Sequence, residues 1–333
     1  MRSLRWMGIV IFAGVVELGF GVHSTGSINV ESPREREGLF TYRVRITQPL
    51  QRAGTIDVWI PLAKTTREQQ ILRRQIHAPV PYTIAQDPEY GNDILHLSLQ
   101  PPLPEGFEVA IDYQTHLGLG EGAAIDLPAP ADELARELTS HGLVIVDDEV
   151  RTRALHATAG RRTPMDRARG IYEAVIRQVK YDKSLPGWGR GDTRRVCLLG
   201  MGNCTDFHSL FISMARASGI PARFKVGVVI PRAPSKVIPG YHCWAEFYLE
   251  ERGWVPVDAS EAWKHPELVD YYFGAHDPNR LLLSVGRDIQ LVPRQHGEPV
   301  NIFFYPYVEA NGQVVDGVET QLMFREFNRE EGA

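Results

Sequence analysis

Cys204, His242 and Asp258 are, by type and by order, the parts of a thiol nucleophile, a base and the carboxylate that orients the base. The thiolate is the attacking species. A free cysteine near pKa ~8.5 carries little of it at neutral pH, so its surroundings must lower that value. After Cys204 the apolar residues Phe207, Leu210, Phe211, Met214 and Ala215 recur at helical spacing, and Gly219-Ile220-Pro221 supplies a stop. The cysteine therefore heads a helix, where unpaired N–H groups and the helix dipole favour an anion. Gly202 leaves room for a substrate carbonyl, and the N–H of Cys204 is a natural oxyanion donor. The competing role for Cys204 is that of a buried structural thiol.

His242 belongs to a segment, Tyr241 to Leu249, whose residues alternate at the period of a strand. His242 and Cys243 are thus expected on opposite faces. That argues against a zinc site built from Cys204, His208, His242 and Cys243, so neither a metal nor a cofactor is expected. His208 follows Cys204 by one helical turn and reads as a core or rim histidine rather than the base. Gly253-Trp254-Val255-Pro256-Val257-Asp258 reads as the second strand of a hairpin opened by a glycine turn after Glu250-Glu251-Arg252. Hairpin pairing would carry Asp258 to His242, where a carboxylate fixes the tautomer and leaves the other ring nitrogen for the thiol. The alternative for Asp258 is a turn residue at the strand end.

The run Gly202 to Arg223, with Arg216-Ala217 and Gly219-Ile220-Pro221-Ala222-Arg223, then His242-x-Trp244-x-Glu246 and Trp254-Val255-Pro256-Val257-Asp258, resembles the transglutaminase-like superfamily. The core of that superfamily is similar to papain-type cysteine proteases, and the likeness covers roughly residues 130 to 325. It implies Cys204 as nucleophile, His242 as base and Asp258 as orienter, the assignment that spacing gives independently. It also implies that Trp188 or Tyr181, upstream of the helix, helps to bind an oxyanion. The other role open to Trp188 is as an anchor of its glycine-rich loop or a wall of the cleft.

The elements that must carry these residues fall into two groups. Tyr42–Ile46, Thr55–Ile60, Ile94–Leu99 and Phe107–Tyr113 alternate at period two between prolines and glycines, which predicts a small antiparallel β sandwich over 39–118. A linker, 119–130, leads to a catalytic domain over 131–326. Its helices are expected at Ala131–His141, about Asp147–Ala159 and Thr163–Tyr181, the last capped by Thr163 with Pro164 in the first turn. Beyond the triad, Leu281–Val285, Ile289–Val292, Asn301–Tyr305 and Gln321–Phe324 are expected to complete that domain's sheet. The fold class is α+β, a papain/transglutaminase-like core behind a β-sandwich domain, with a tail at 327–333.

Arg2 and Arg5 precede an apolar run, Met7–Val22, interrupted by Glu17 and too short for a membrane span. This predicts a signal peptide over 1–26, with cleavage candidates at Val22-His23-Ser24 and Ser24-Thr25-Gly26, and a tether over 27–38. The protein is expected to be exported, periplasmic or extracellular, and to meet a membrane only if the first segment stays uncleaved. Three cysteines leave at least one unpaired. Catalysis accounts for a free Cys204, with Cys197 and Cys243 either bonded to each other or both free. The formal net charge of -5 offers no basic footprint, so nucleic acid is not an expected partner. The remaining function classes are acyl transfer on peptide or protein amides, by hydrolysis or by transamidation, and a noncatalytic module holding a peptide or a cell-surface polymer.

Overall fold

Alternating apolar residues dictate the strands at the start of the chain, because one face must be covered. The computed structural model describes residues 35–47, 54–103, 106–118, 128–232, 235–275 and 277–327. The expected signal peptide, residues 27–34 of the tether, 119–127 of the linker and 328–333 of the tail lie outside them. The elements are β1 (Arg36–Ile46), β2 (Ile56–Leu62), β3 (Gln69–His77), β4 (Thr83–Gln86), β5 (Asp93–Leu99) and β6 (Glu108–Leu117), then α1 (Ala131–Arg136), α2 (Asp148–Thr158) and α3 (Pro164–Gln178). Next come β7 (Lys180–Tyr181), α4 (Thr193–Leu199), β8 (Met201–Gly202), α5 (Cys204–Ala217), β9 (Ala222–Val229), β10 (Ser235–Ile238), β11 (His242–Leu249), β12 (Gly253–Val257) and α6 (Ala259–Lys264). The chain closes with β13 (Arg280–Val285), β14 (Tyr307–Ala310), β15 (Gln313–Val314) and β16 (Val318–Glu326).

Two five-stranded sheets, ordered β10-β16-β1-β6-β3 and β15-β14-β2-β5-β4, bring Phe40, Tyr42, Val109 and Ile111 of one and Val58, Ile60, Leu95 and Leu97 of the other into one core. A four-stranded antiparallel sheet, β12-β11-β9-β13, backs the helices, so the class is α+β as expected. Two corrections concern the end of the chain. The strand expected at Gln321–Phe324 exists within β16, but it pairs with β1, placing Phe324 beside Phe40 and Leu322 beside Tyr42. It belongs to the first sheet because β1 has one edge taken by β6 and an apolar face that needs a neighbour on the other. Ile289–Val292 and Asn301–Tyr305 form no strands; a single bridge joins Ile289 to Val300, and Phe303 and Phe304 bury as a bent segment.

Helix boundaries follow the caps. Thr163 Oγ1 accepts from the Asp166 N–H at 3.0 Å and opens α3, and Asp147 does the same for α2 through Val150. The helix expected over 131–141 stops at Arg136, because Glu137 turns inward to the Arg216 guanidinium, which also donates to the Thr139 carbonyl. Residues 204–216 of α5 are all buried, on every side. A helix enclosed this way has its position fixed by packing, which fixes Cys204 at its tip.

Candidate active site

α5 starts at Cys204 because Asn203 caps it. The Asn203 side chain accepts from the Thr205 N–H at 3.0 Å, and Asp206 Oδ2 accepts from the Asn203 N–H at 2.9 Å, a reciprocal capping box. Asp206 also receives the N–H of Gly189 at 2.7 Å and of Gly191 at 3.1 Å, and so ties the loop 186–192 to the helix tip. A Cβ on Gly202 would lie 2.2 Å from that carboxylate. The room at Gly202 therefore serves Asp206, a different use from the carbonyl approach that the sequence suggests. As the first helical residue, Cys204 has an N–H with no intrahelical acceptor.

The hairpin of β11 and β12 pairs Ala245 with Val257, and the next residue, Asp258, reaches diagonally to His242. His242 Nε2 and Asp258 Oδ2 are 2.6 Å apart, which leaves Nδ1 for the neighbouring Cys204. Asp258 is also the cap of α6: its Oδ1 receives the Ser260 N–H at 3.1 Å, the Ser260 hydroxyl at 2.9 Å and the Glu261 N–H at 2.9 Å. Arg280, from β13, closes the other side with Nη2 2.6 Å from Oδ2, its guanidinium lying over the rings of Trp244 and Tyr272. The structure thus brings Cys204, His242 and Asp258 together at the meeting of α5, β11 and α6. Cys204 is 3 % and His242 7 % exposed, so the charges between them act with little screening by water.

Electrostatics follow from these contacts. Burial works against the Asp258 carboxylate, yet Arg280 and His242 outweigh it and hold its pKa well below the usual range. Burial likewise works against the His242 imidazolium, but the Asp258 charge and hydrogen bond, aided by Cys204, push its pKa up to about 9. The Cys204 thiol is pulled well below its ordinary value, first by a hydrogen bond from Cys243, against burial, and then by the hydrogen bond and charge of His242. The pair that results is thiolate and imidazolium.

Tyr181, on β7, packs with ring centroids 6.2 Å from Phe207 and 6.5 Å from Trp263; burial, then the nearby Cys204 charge, raises its pKa. Trp188 sits at the exposed rim with the Lys183 ammonium 4.9 Å from its ring, and among the described residues no hydrogen bond joins it to the triad. Sequence reasoning missed Arg280, Asn203, Asp206 and Tyr241, whose hydroxyl lies 2.8 Å from Asn203 Nδ2 and 3.1 Å from Thr205 Oγ1. Arg280 left no signal, being one charge at the head of an apolar strand. The Asn203-x-x-Asp206 spacing was legible as a cap pattern. Cys243, next to His242 on β11, has its sulfur 3.6 Å from Thr205 Oγ1 and 3.8 Å from His208 Nδ1 of α5. All three cysteines are free thiols.

A cleft of about 420 Å³ lies at the other end of the sheet, lined by Arg67, Glu133, Arg136, Arg223, Lys225 and Trp254. Its charges largely satisfy one another, with Arg223 bridging Glu133 and Glu246 and Lys225 2.6 Å from Glu246, and it shares no residue with the triad.

Residues 151–259, which span the head of α5 through Asp258, match the family model described as the transglutaminase-like superfamily. An uncharacterized protein of Haemophilus influenzae is 25% identical over 324 residues, covering 84% of this chain and 87% of its own. A candidate cysteine protease from Cytophaga hutchinsonii shares the fold with a TM-score of 0.57 at 16% sequence identity, over 88% of this chain and 92% of that one. Residues 151–259 are thus a transglutaminase-like core.

Proposed function

We propose that this chain is a cysteine-dependent acyl-transfer enzyme acting on peptide or protein amide bonds through a thioester. The observation that carries the reading is the 2.6 Å contact between His242 Nε2 and Asp258 Oδ2, beside a thiol at a helix N-terminus whose pKa the ring lowers. The Cys204 thiolate adds to the amide carbonyl carbon, and the Cys204 N–H stabilises the oxyanion. His242 gives its Nδ1 proton to the leaving amine as the C–N bond breaks. The neutral ring then takes a proton from water, which attacks the thioester and frees the acid and the thiolate. Hydrolysis is favoured over transamidation, because capture by an amine needs a site that positions the amine and excludes water. Trp188 and Tyr181 stand as rim residues that would border the acyl group, Tyr181 as the nearer candidate for an oxyanion contact. Export, expected from residues 1–26, is part of the same proposal; N-terminal sequencing of the mature chain tests it.

The activity is tested by incubating the full chain with a peptide digest, quenching in acid and weighing the Cys204 peptide. The expected result is an acyl mass on Cys204 and new carboxyl termini in the digest, both lost in Cys204→Ala. A chain that binds peptides equally well with and without the thiol, and never carries an adduct, is a binding module instead.

A further inference from the structure

Arg280 is buried more completely than its bonding accounts for. It opens β13, is 4 % exposed, and lies over the rings of Trp244 and Tyr272. A guanidinium has five N–H donors, and taking its charge out of water is unfavourable unless they find acceptors. Among the described residues Arg280 pairs with one carboxylate, that of Asp258, and its Nε, shut off from water, has no acceptor. Arg36, also buried, distributes its donors over Glu326, Asn279 and two carbonyls. Arg36 therefore ties elements together, whereas Arg280 is directed at a single atom. That atom is Asp258 Oδ2, 2.6 Å from Arg280 Nη2 and also 2.6 Å from His242 Nε2. Asp258 does not need the guanidinium to keep its place, because Oδ1 is already held by the Ser260 N–H, the Ser260 hydroxyl and the Glu261 N–H.

We propose that Arg280 is a positioning residue of the reaction: by sharing Oδ2 with the His242 ring, it limits how strongly Asp258 holds the imidazolium and so keeps the ring able to give its Nδ1 proton to the leaving amine. The proposal rests on His242 being the acid of the proposed acyl transfer. A lone carboxylate 2.6 Å from the ring, in a site closed to water, would keep that proton on nitrogen, and the tetrahedral adduct would expel the thiolate rather than the amine. The guanidinium, equally close to the same oxygen, opposes the carboxylate's field at the ring, since two cations on one acceptor repel. The proton can then move from Nδ1 to the amine nitrogen as the C–N bond breaks, and the neutral ring can take one back from water. The other titratable groups around these three residues are Cys204 and His208 of α5, Cys243 of β11, Tyr172 of α3, Tyr181 of β7, Glu261 of α6, and Tyr272 and Asp277 ahead of β13. Burial raises the tyrosines and Cys243, and Cys204 lies well below its ordinary value, so a charge change near pH 9 belongs to the ring.

The test is the titration of the His242 ring by NMR in the full chain, with its signals identified by their loss in His242→Gln. Wild type is expected to titrate at about pH 9. Arg280→Met, which keeps the apolar stem and removes the charge, should raise that midpoint by about one unit, making the ring about a tenfold weaker acid. Arg280→Lys, which restores the charge without the fork, should bring it back. A guanidinium that served packing alone would leave the midpoint in place, so a folded Arg280→Met with the wild-type midpoint overturns the proposal. A second readout uses wild type only: the guanidinium nitrogen signals of Arg280, assigned through their contact with the Trp244 ring, should shift with the same midpoint as the His242 ring. Signals indifferent to that titration overturn the proposal whether or not Arg280→Met folds. If the wild-type ring titrates near the ordinary ~6.5, the proposed function loses its imidazolium and the inference falls with it. A ring that titrates at about 9 and ignores Arg280 sinks the inference alone.

Discussion

At the scale of single residues, the site is a proton account. The imidazolium of His242 persists to about pH 9, so its ring resonances should titrate there, well above the ordinary ~6.5. Replacing Asp258 with Asn removes the charge that most supports the imidazolium, and the midpoint should fall toward the ordinary value; NMR of the ring protons checks this, and an unmoved midpoint would rule out the carboxylate as its cause. The pair also shapes stability. Folded, it holds one proton, on the ring; unfolded, between about pH 6.5 and 8.5, it also holds one, on the sulfur. The two states bind equally, so the pair adds no slope to the pH dependence of stability in that window. Below about 6.5 the unfolded state binds more protons, and the stability due to the depressed thiol is lost as pH falls. Above about 8.5 the unfolded pair is bare while the ring keeps its proton to about 9, and stability falls as pH rises. In Cys204→Ala only the histidine remains, so the variant should lose stability against wild type from pH 6.5 to 8.5, by up to about 1.4 kcal/mol per unit. Parallel urea-denaturation profiles for the two proteins would contradict the ion pair.

At the scale of elements, the head of α5 is where the site is made or lost. Asp206 is fully buried and receives three backbone N–H groups, one from its own cap and two from the loop 186–192. Asp206→Ala orphans all three donors, each at about 1 kcal/mol or more, so a loss of roughly 3 kcal/mol is expected in chemical denaturation. The loop carrying Trp188 should then become open to proteolysis ahead of the core, and a variant that loses neither stability nor loop protection would show that the carboxylate is not the tie. This element was also the one most legible in the sequence: periodicity placed the helix, and a glycine and a proline ended it. The hairpin of β11 and β12 was legible for the same reason, since its alternation is regular and its turn is a glycine. What escaped was short or off-pattern. α4 and α6 are too brief for periodicity to speak, and β3, with Arg73 and Arg74 among its mostly uncovered residues, is an edge strand without apolar alternation. Arg280, which also went unread, acts from the head of β13 on Asp258, a long-range pairing that no local pattern encodes.

At the scale of the molecule, the first and last described strands share one sheet, which no sequence-local rule announces. β16 lies beside β1 from Ile46↔Val318 to Gly38↔Glu326, and β14 lies beside β2, so the strands before and after the transglutaminase-like region complete each other. Arg36 locks this closure. Its guanidinium is bidentate to Glu326 and donates to Asn279 Oδ1 at 2.8 Å and to the carbonyls of Ile230 and Pro231, all while nearly excluded from water. One side chain thus joins β1, β16 and the segments that follow β9 and precede β13 in the four-stranded sheet. Arg36→Met keeps the stem but leaves those acceptors unpaired, and a loss of about 3 kcal/mol is expected. The more decisive cut is at residue 306. Removing β14 and β16 bares an edge and an apolar face on β1 and β2, and with them the side chains Phe40, Tyr42 and Val58 that now lie in the common core. The shortened chain should fail to fold, even though Cys204, His242, Asp258 and Arg280 are all retained. Near-ultraviolet circular dichroism and the Cys204 alkylation profile measure this together. A truncated chain that keeps native dichroism and a low-pH thiolate would mean that the part carrying Cys204 stands without those strands.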